Sequence, residues 1–163
     1  MAPIIPTLHP LPPPGLTLFH GFTARQQEAL IVKEQFKHFS RSNLLVAFKG
    51  PDGGPGQMFL EIDEVKRRRW AFKSATTGEV VMNLVKEKHC FHPHVYHGMA
   101  PDGTEMWTLV LKRHSFSGTE YLLTVNPPNE PPISLPVENK IQGQGKGILL
   151  NGNAVATMDQ PEV

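Results

Sequence analysis

Lys66, Arg67, Arg68 and Arg69 stand in a row, and Trp70 follows them. Four adjacent cations on a turn can clasp phosphate oxygens, and an amphipathic indole beside them suits a membrane interface. Each basic residue near an anionic surface contributes about 1 kcal/mol. Lys86, Lys88, Lys112 and Arg113 extend this patch if their strand ends lie nearby. The plainer alternative is a solvated hairpin loop, which carries more weight than a phosphate grip. A nuclear-localisation signal is a weaker third option.

A second cluster holds His89, His92, His94 and His97, with Cys90 among them. Imidazole and thiolate are good zinc ligands. On a strand, His92 and His94 share one face and His89 and His97 the other. No acidic or cysteine partner at a recognised spacing completes a tetrahedral site. Weight therefore falls on a solvated or packed strand, and no metal or other cofactor is assigned. Cys90 as a nucleophile needs an oriented base, which neighbours along one strand do not supply. Gly143, Gly145, Lys146 and Gly147 lack the Gly-Lys-Ser/Thr ending and following helix of a phosphate loop, so a connector is expected. Asp52, Asp63 and Asp102 sit at or near turns, an ordinary structural use of aspartate. No set of residues is suited to carrying a reaction, and no enzyme is expected.

The elements that position these residues are strands. Met58, Leu60 and Ile62 alternate with Phe59, Glu61 and Asp63. Trp70 and Phe72 alternate with Ala71 and Lys73, and Val80, Met82 and Leu84 begin another run. Period-two alternation puts one set of side chains on a buried face. Further strands are expected over residues 28–36, 43–49, 106–112, 141–150 and 154–158, with one starting at Tyr121. A helix over 23–37 is the one competing option, and its apolar positions make no clean stripe at helical spacing. Turns are expected at 51–56, 74–78, 101–103 and 151–153, each rich in Gly, Pro, Asn or Asp. Pro127, Pro128, Pro131 and Pro132 interrupt the ladder. About nine or ten short strands indicate an antiparallel all-β barrel or sandwich.

A chain of 163 residues is expected to form one domain with a sizeable core. Its formal charge of +1 disfavours a role in gripping long nucleic acid. One cysteine precludes an internal disulfide, and with no apolar leader a reducing compartment is expected. No stretch approaches the roughly 20 apolar residues that cross a bilayer as a helix. Residues 1–22, with Pro3, Pro6, Pro10, Pro12, Pro13 and Pro14, read as a flexible Pro-rich arm, and residues 23–163 as the domain.

The order of motifs resembles the LURP-one-related family, whose domain shares the fold of the Tubby C-terminal domain and the phospholipid scramblases. Residues 58–63 are similar to its second strand. Residues 71–84 are similar to its D-x-x-G-x-x-L hairpin, with Ser74-Ala75 where aspartate is usual. Residues 92–96 are similar to its His-Pro-x-x-x-Tyr strand, and residues 147–156 to its late glycine turn and alanine strand. Coverage runs from about Gln26 to Met158. The resemblance implies a Tubby-like β-barrel of about twelve strands around an apolar C-terminal helix. Val163 comes where the last strands and that helix are due. The expectation is thus a barrel lacking its central helix, with Phe48, Trp107 and Leu109 facing a void or water. At about 25 cal/mol per Å² of apolar surface left wet, several such side chains cost several kcal/mol, so a marginal or partner-dependent fold is expected.

The resemblance implies a non-catalytic binding module for phosphoinositide or anionic phospholipid. Lys66, Arg67, Arg68 and Arg69 are its candidate contacts, and no phosphoinositide residue of the family carries over by position. The alternative is a protein-interaction scaffold, in which another chain or a lipid chain enters the open barrel. The expected setting is cytoplasmic, peripheral at the membrane, or nuclear.

Overall fold

The structure, a computed structural model, describes residues 7–13, 15–19, 21–24, 26–36, 42–90, 92–115, 118–138 and 146–158. They form an antiparallel meander with no helix among them: β1 (Leu30–Phe36), β2 (Ser42–Lys49), β3 (Pro55–Lys66), β4 (Arg69–Ser74), β5 (Val80–Glu87), β6 (Val95–Met99), β7 (Glu105–Ser115), β8 (Gly118–Val125), β9 (Ile133–Glu138), β10 (Lys146–Leu150) and β11 (Asn153–Met158). All eleven belong to one sheet, in which spatial order follows chain order. The all-β antiparallel expectation holds. Closure into a barrel is not among the described pairings: β1 pairs with β2 and β11 with β10, leaving two edges.

The alternation seen in the sequence gives the sheet two unlike faces. Trp70, Leu84, Gly98, Trp107, Val125 and Ile133 stand opposite one another across β4 to β9. One residue along, the matching row is Arg69, Val85, His97, Thr108, Thr124 and Ser134. Paired residues share a face and neighbours alternate, so the first row is apolar and the second mostly polar. Ile62, Phe72, Met82, Leu109, Leu123 and Leu135 add to the apolar face by the same rule.

This face is only partly covered. Domains usually bury a sheet face under a second layer, and here every described strand lies in the same sheet. Across both faces, the buried hydrophobics of the described residues are mostly of small or medium size, Val46, Ala47, Ile62, Ala71, Met106, Val125, Leu135 and Ala154. Trp70, Phe72, Leu84 and Trp107 remain half-buried, as do Phe48 and Leu109. Part of the Pro-rich arm is seated on the sheet at two points. The His9 N–H donates to the Ala154 carbonyl of β11 (2.8 Å). The Phe22 ring packs on Phe59, which in turn packs on Phe48, with centroids 5.5 and 4.9 Å apart.

One strand was not expected, and several expectations need correction. Residues 133–138 form β9, with Pro136 within them. Pro136 pairs with Leu122 of β8, while the described pairing to β10 covers only Val137 and Glu138. A residue with no N–H is tolerated where the ladder has one side. Asp63 does not lie at a turn. It sits within β3 opposite Ala71, and its carboxylate accepts from Lys73 Nζ at 2.8 Å. The strand expected over 141–150 is described from Lys146, and residues 141–145, including Gly143 and Gly145, lie outside the described residues. The loop expected over 51–56 ends at Gly54, because β3 begins at Pro55 opposite Lys49; the remaining expected turns form. Asn151 (φ 51°) and Gly152 (φ 79°) connect β10 to β11, the left-handed pair that a tight hairpin requires. Asp52 Oδ1 accepts from Gly54 N–H and Asp102 Oδ1 from Thr104 N–H.

Candidate functional site

In a meander every second connection falls at the same end of the sheet. The β3–β4 turn, the end of β5, the start of β6 and the end of β7 therefore share one rim. That rim carries Lys66, Arg67, Arg68, Arg69, Lys86, Lys88 and Lys112. Glu79, Asp52, Asp102 and Glu130 lie at turns of the opposite end. Glu87 and Glu138 also lie at the basic end and Lys49 at the other, so the charge is only partly separated along the strands.

The four consecutive cations do not point one way. Lys66 and Arg69 are paired across the hairpin, and Arg69 is opposite Val85, so both belong to the polar face. Arg67 is exposed at the turn, whereas Arg68 is half-buried. The Arg68 carbonyl accepts the Lys86 N–H (3.0 Å), which fixes the turn against the end of β5. Arg68 also has φ 65°, in the left-handed region. A non-glycine residue there costs about 1–3 kcal/mol, and such strain clusters at functional sites.

Lys86 is opposite Tyr96, two residues beyond Leu84 on the apolar face. Its ammonium lies over the Tyr96 ring, 5.2 Å from the centroid, a favourable cation–π geometry. His94 joins this corner. Burial first, then the charges of Lys86, Lys88, Arg68 and His89, hold its imidazole below the ordinary value of 6.5. Its Nδ1 is shut away from solvent without a hydrogen-bond partner among the described residues. No described ion pair neutralises Arg68, Lys86 or Lys88.

The carboxylate between the two lysines is held elsewhere. Glu87 alternates with Lys86 and Lys88, and its Oε2 meets His97 Nε2 at 3.1 Å. His97 Nδ1 meets Glu105 Oε2 at 2.6 Å, and His89 Nε2 lies 3.4 Å from Glu87 Oε1. Burial alone would lower the His97 imidazole. The hydrogen bonds from Glu105 and Glu87, with their charges, outweigh it and leave the group above 6.5. When protonated, the ring donates from both nitrogens and so links β5, β6 and β7 on the polar face.

The histidines are accordingly divided. His92 and His94 precede β6, which begins at Val95, so they do not form the strand pair expected for a chelate. Pro93 between them has no N–H to extend the ladder. Among the described residues, no group of three or more His, Cys, Asp or Glu is arranged to hold a metal ion. Cys90 is exposed and free.

Sequence reasoning identified the basic turn but not its division between faces, nor the association of Arg68 and Lys86 with His94. The available signal was the alternation Lys86-Glu87-Lys88, which puts both lysines on one face and the glutamate on the other. Comparison with family models, with curated proteins and with solved structures finds no match to this chain. No helix among the described residues is long and apolar enough to cross a membrane.

Proposed function

We propose that this chain is a non-catalytic binding module that docks on anionic phospholipid, phosphoinositide included, through its basic rim. Lys66, Arg67, Arg68 and Arg69 are the central contacts, flanked by Lys86, Lys88 and Lys112. The observation that carries this is the convergence of separate basic segments on one end of the sheet, away from the acidic turns. Each cation near an anionic surface contributes about 1 kcal/mol, so a handful suffices for reversible attachment. The setting is the cytoplasmic face of a membrane. The sequential strand order and the single apolar face also support the LURP-one-related, Tubby-like resemblance, in which this sheet is a barrel wall. Closure would bring β1 and β11 together.

The test is flotation with vesicles of phosphatidylcholine alone, or with added phosphatidylserine or phosphoinositide. Binding should require the anionic lipid and weaken with salt. Replacement of Lys66, Arg67, Arg68 and Arg69 by alanine should abolish it. Unchanged flotation of that variant would remove the proposal.

A second reading, a protein-interaction scaffold, is favoured by the β1 edge. Leu30 and Val32 are 48% and 57% exposed on a strand with no second described partner. Such an edge is a template for an added strand from another protein. Capture of a partner that is lost on replacing Val32 with proline would support this reading over the first.

A further inference from the structure

The cationic corner and the partly covered apolar face adjoin each other, and the relation is directional. Arg68, Lys86 and Lys88 lie at the rim with His94 among them. Trp70, Leu84 and Trp107 follow one step down the same face, about 7 Å along the strands. Phe72 and Met82 lie a further step in. Glu87 is engaged by His97 on the opposite face. Glu64, opposite Trp70, lies on the apolar face, and no described ion pair ties it to the cations.

Each half of this surface is costly to leave as it is. Half-buried Trp, Phe and Leu side chains favour an apolar occupant over the part of their surface still in water. Three cations and an imidazole with no carboxylate partner among the described residues favour an anion with several oxygens. One ligand that satisfies both, in this order along the strands, is an amphiphile whose anionic head is at the rim and whose chain runs inward.

We propose that the apolar face seats the chain of one phosphate-headed, single-chain lipid, with its phosphate held by Arg68, Lys86, Lys88 and His94. The phosphate head is favoured over a carboxylate because a dianion with three free oxygens can engage several separate donors at once. The proposal rests on the anionic-lipid function above and deepens it. The ligand is a single lipid molecule bound side-on, and not only a charged bilayer surface.

Both tryptophans of the chain, Trp70 and Trp107, lie on this face, so their emission reports the chain directly. The probe is lysophosphatidate below its micelle concentration, titrated into the full chain. The expected result is a saturable blue shift with a stoichiometry of one. Lysophosphatidylcholine and a fatty acid of equal chain length should bind about tenfold or more weakly. Inorganic phosphate alone should leave emission unchanged yet compete with the lipid. Arg68→Gln and Lys86→Gln should each weaken binding about tenfold, the effect of losing one charge-assisted contact. Lys49→Gln, at the other end of the sheet, should change nothing, and circular dichroism of all three variants should match the wild type.

Equal affinity for lysophosphatidylcholine overturns the proposal, as do unaffected Arg68→Gln and Lys86→Gln variants. A concentration-dependent dimer that excludes the lipid also overturns it, because a second copy then covers the face. Vesicle flotation without any tryptophan response sinks this inference and leaves the membrane-docking function standing. A tryptophan response without flotation does the reverse.

Discussion

The indole of Trp107 lies across Gly98, its partner on the neighbouring strand. A Cβ on Gly98 would overlap the ring, and Trp107 Nε1–H donates to Met82 Sδ at 3.3 Å, one strand further on. The pair therefore joins β5, β6 and β7 on the apolar face, and the absent side chain of Gly98 makes room for the largest one nearby.

Gly98→Ala should displace this indole. Overpacking of this kind costs about 1–3 kcal/mol, so the urea midpoint should fall while secondary structure is kept. Gly98 has no described left-handed backbone, so the cost comes from the ring and not from strain. Trp107→Leu combined with Gly98→Ala should be less destabilised than the sum of the single changes, a coupling readable in a double-mutant cycle.

The Glu87–His97–Glu105 link predicts a dependence of stability on pH. His97 is raised in the folded chain, so the folded state holds this proton more tightly than the unfolded state does. The resulting stability is fully present below the ordinary value of 6.5 and is lost as pH rises through the higher folded value. Urea midpoints measured at about pH 6 and about pH 8.5, on either side of the ordinary histidine range, should fall toward the alkaline side. His97→Gln should flatten that slope. A wild-type midpoint that rises over the same interval would contradict the charged form of the link.

Arg68 should separate stability from binding. Glycine adopts its left-handed backbone freely, so Arg68→Gly should stabilise the β3–β4 turn by about 1 kcal/mol. The same change removes a cation from the rim and should weaken binding to anionic vesicles. Thermal denaturation and flotation of this variant should therefore move in opposite directions. A residue kept only for turn geometry would show the first effect without the second.

Most strands were legible because their cause is local. Alternation at Leu60 and Ile62, or at Trp107, Leu109 and Leu111, marks one face whatever the rest of the chain does. A bulge at Phe59, by contrast, puts Met58 opposite Ala47 and off the face expected for it. The turns at Asn151-Gly152 and Pro101-Asp102-Gly103 were legible for the same reason. Strand β9 was not, because Pro136 is a strand breaker until its place beside a half-paired ladder is known. The histidine cluster does not form one strand, because Pro93 interrupts it and β6 begins only at Val95.

The sequence by itself determined the all-β class, the alternating faces and the basic hairpin turn, since each follows from backbone period and side-chain type over a few residues. Tertiary structure alone decided which turns share a rim, that Arg68 joins Lys86 and His94 while Lys66 and Arg69 belong to the other face, and that Glu87 is held by His97. Those relations depend on strand register, and register is set by pairing between segments far apart in the chain.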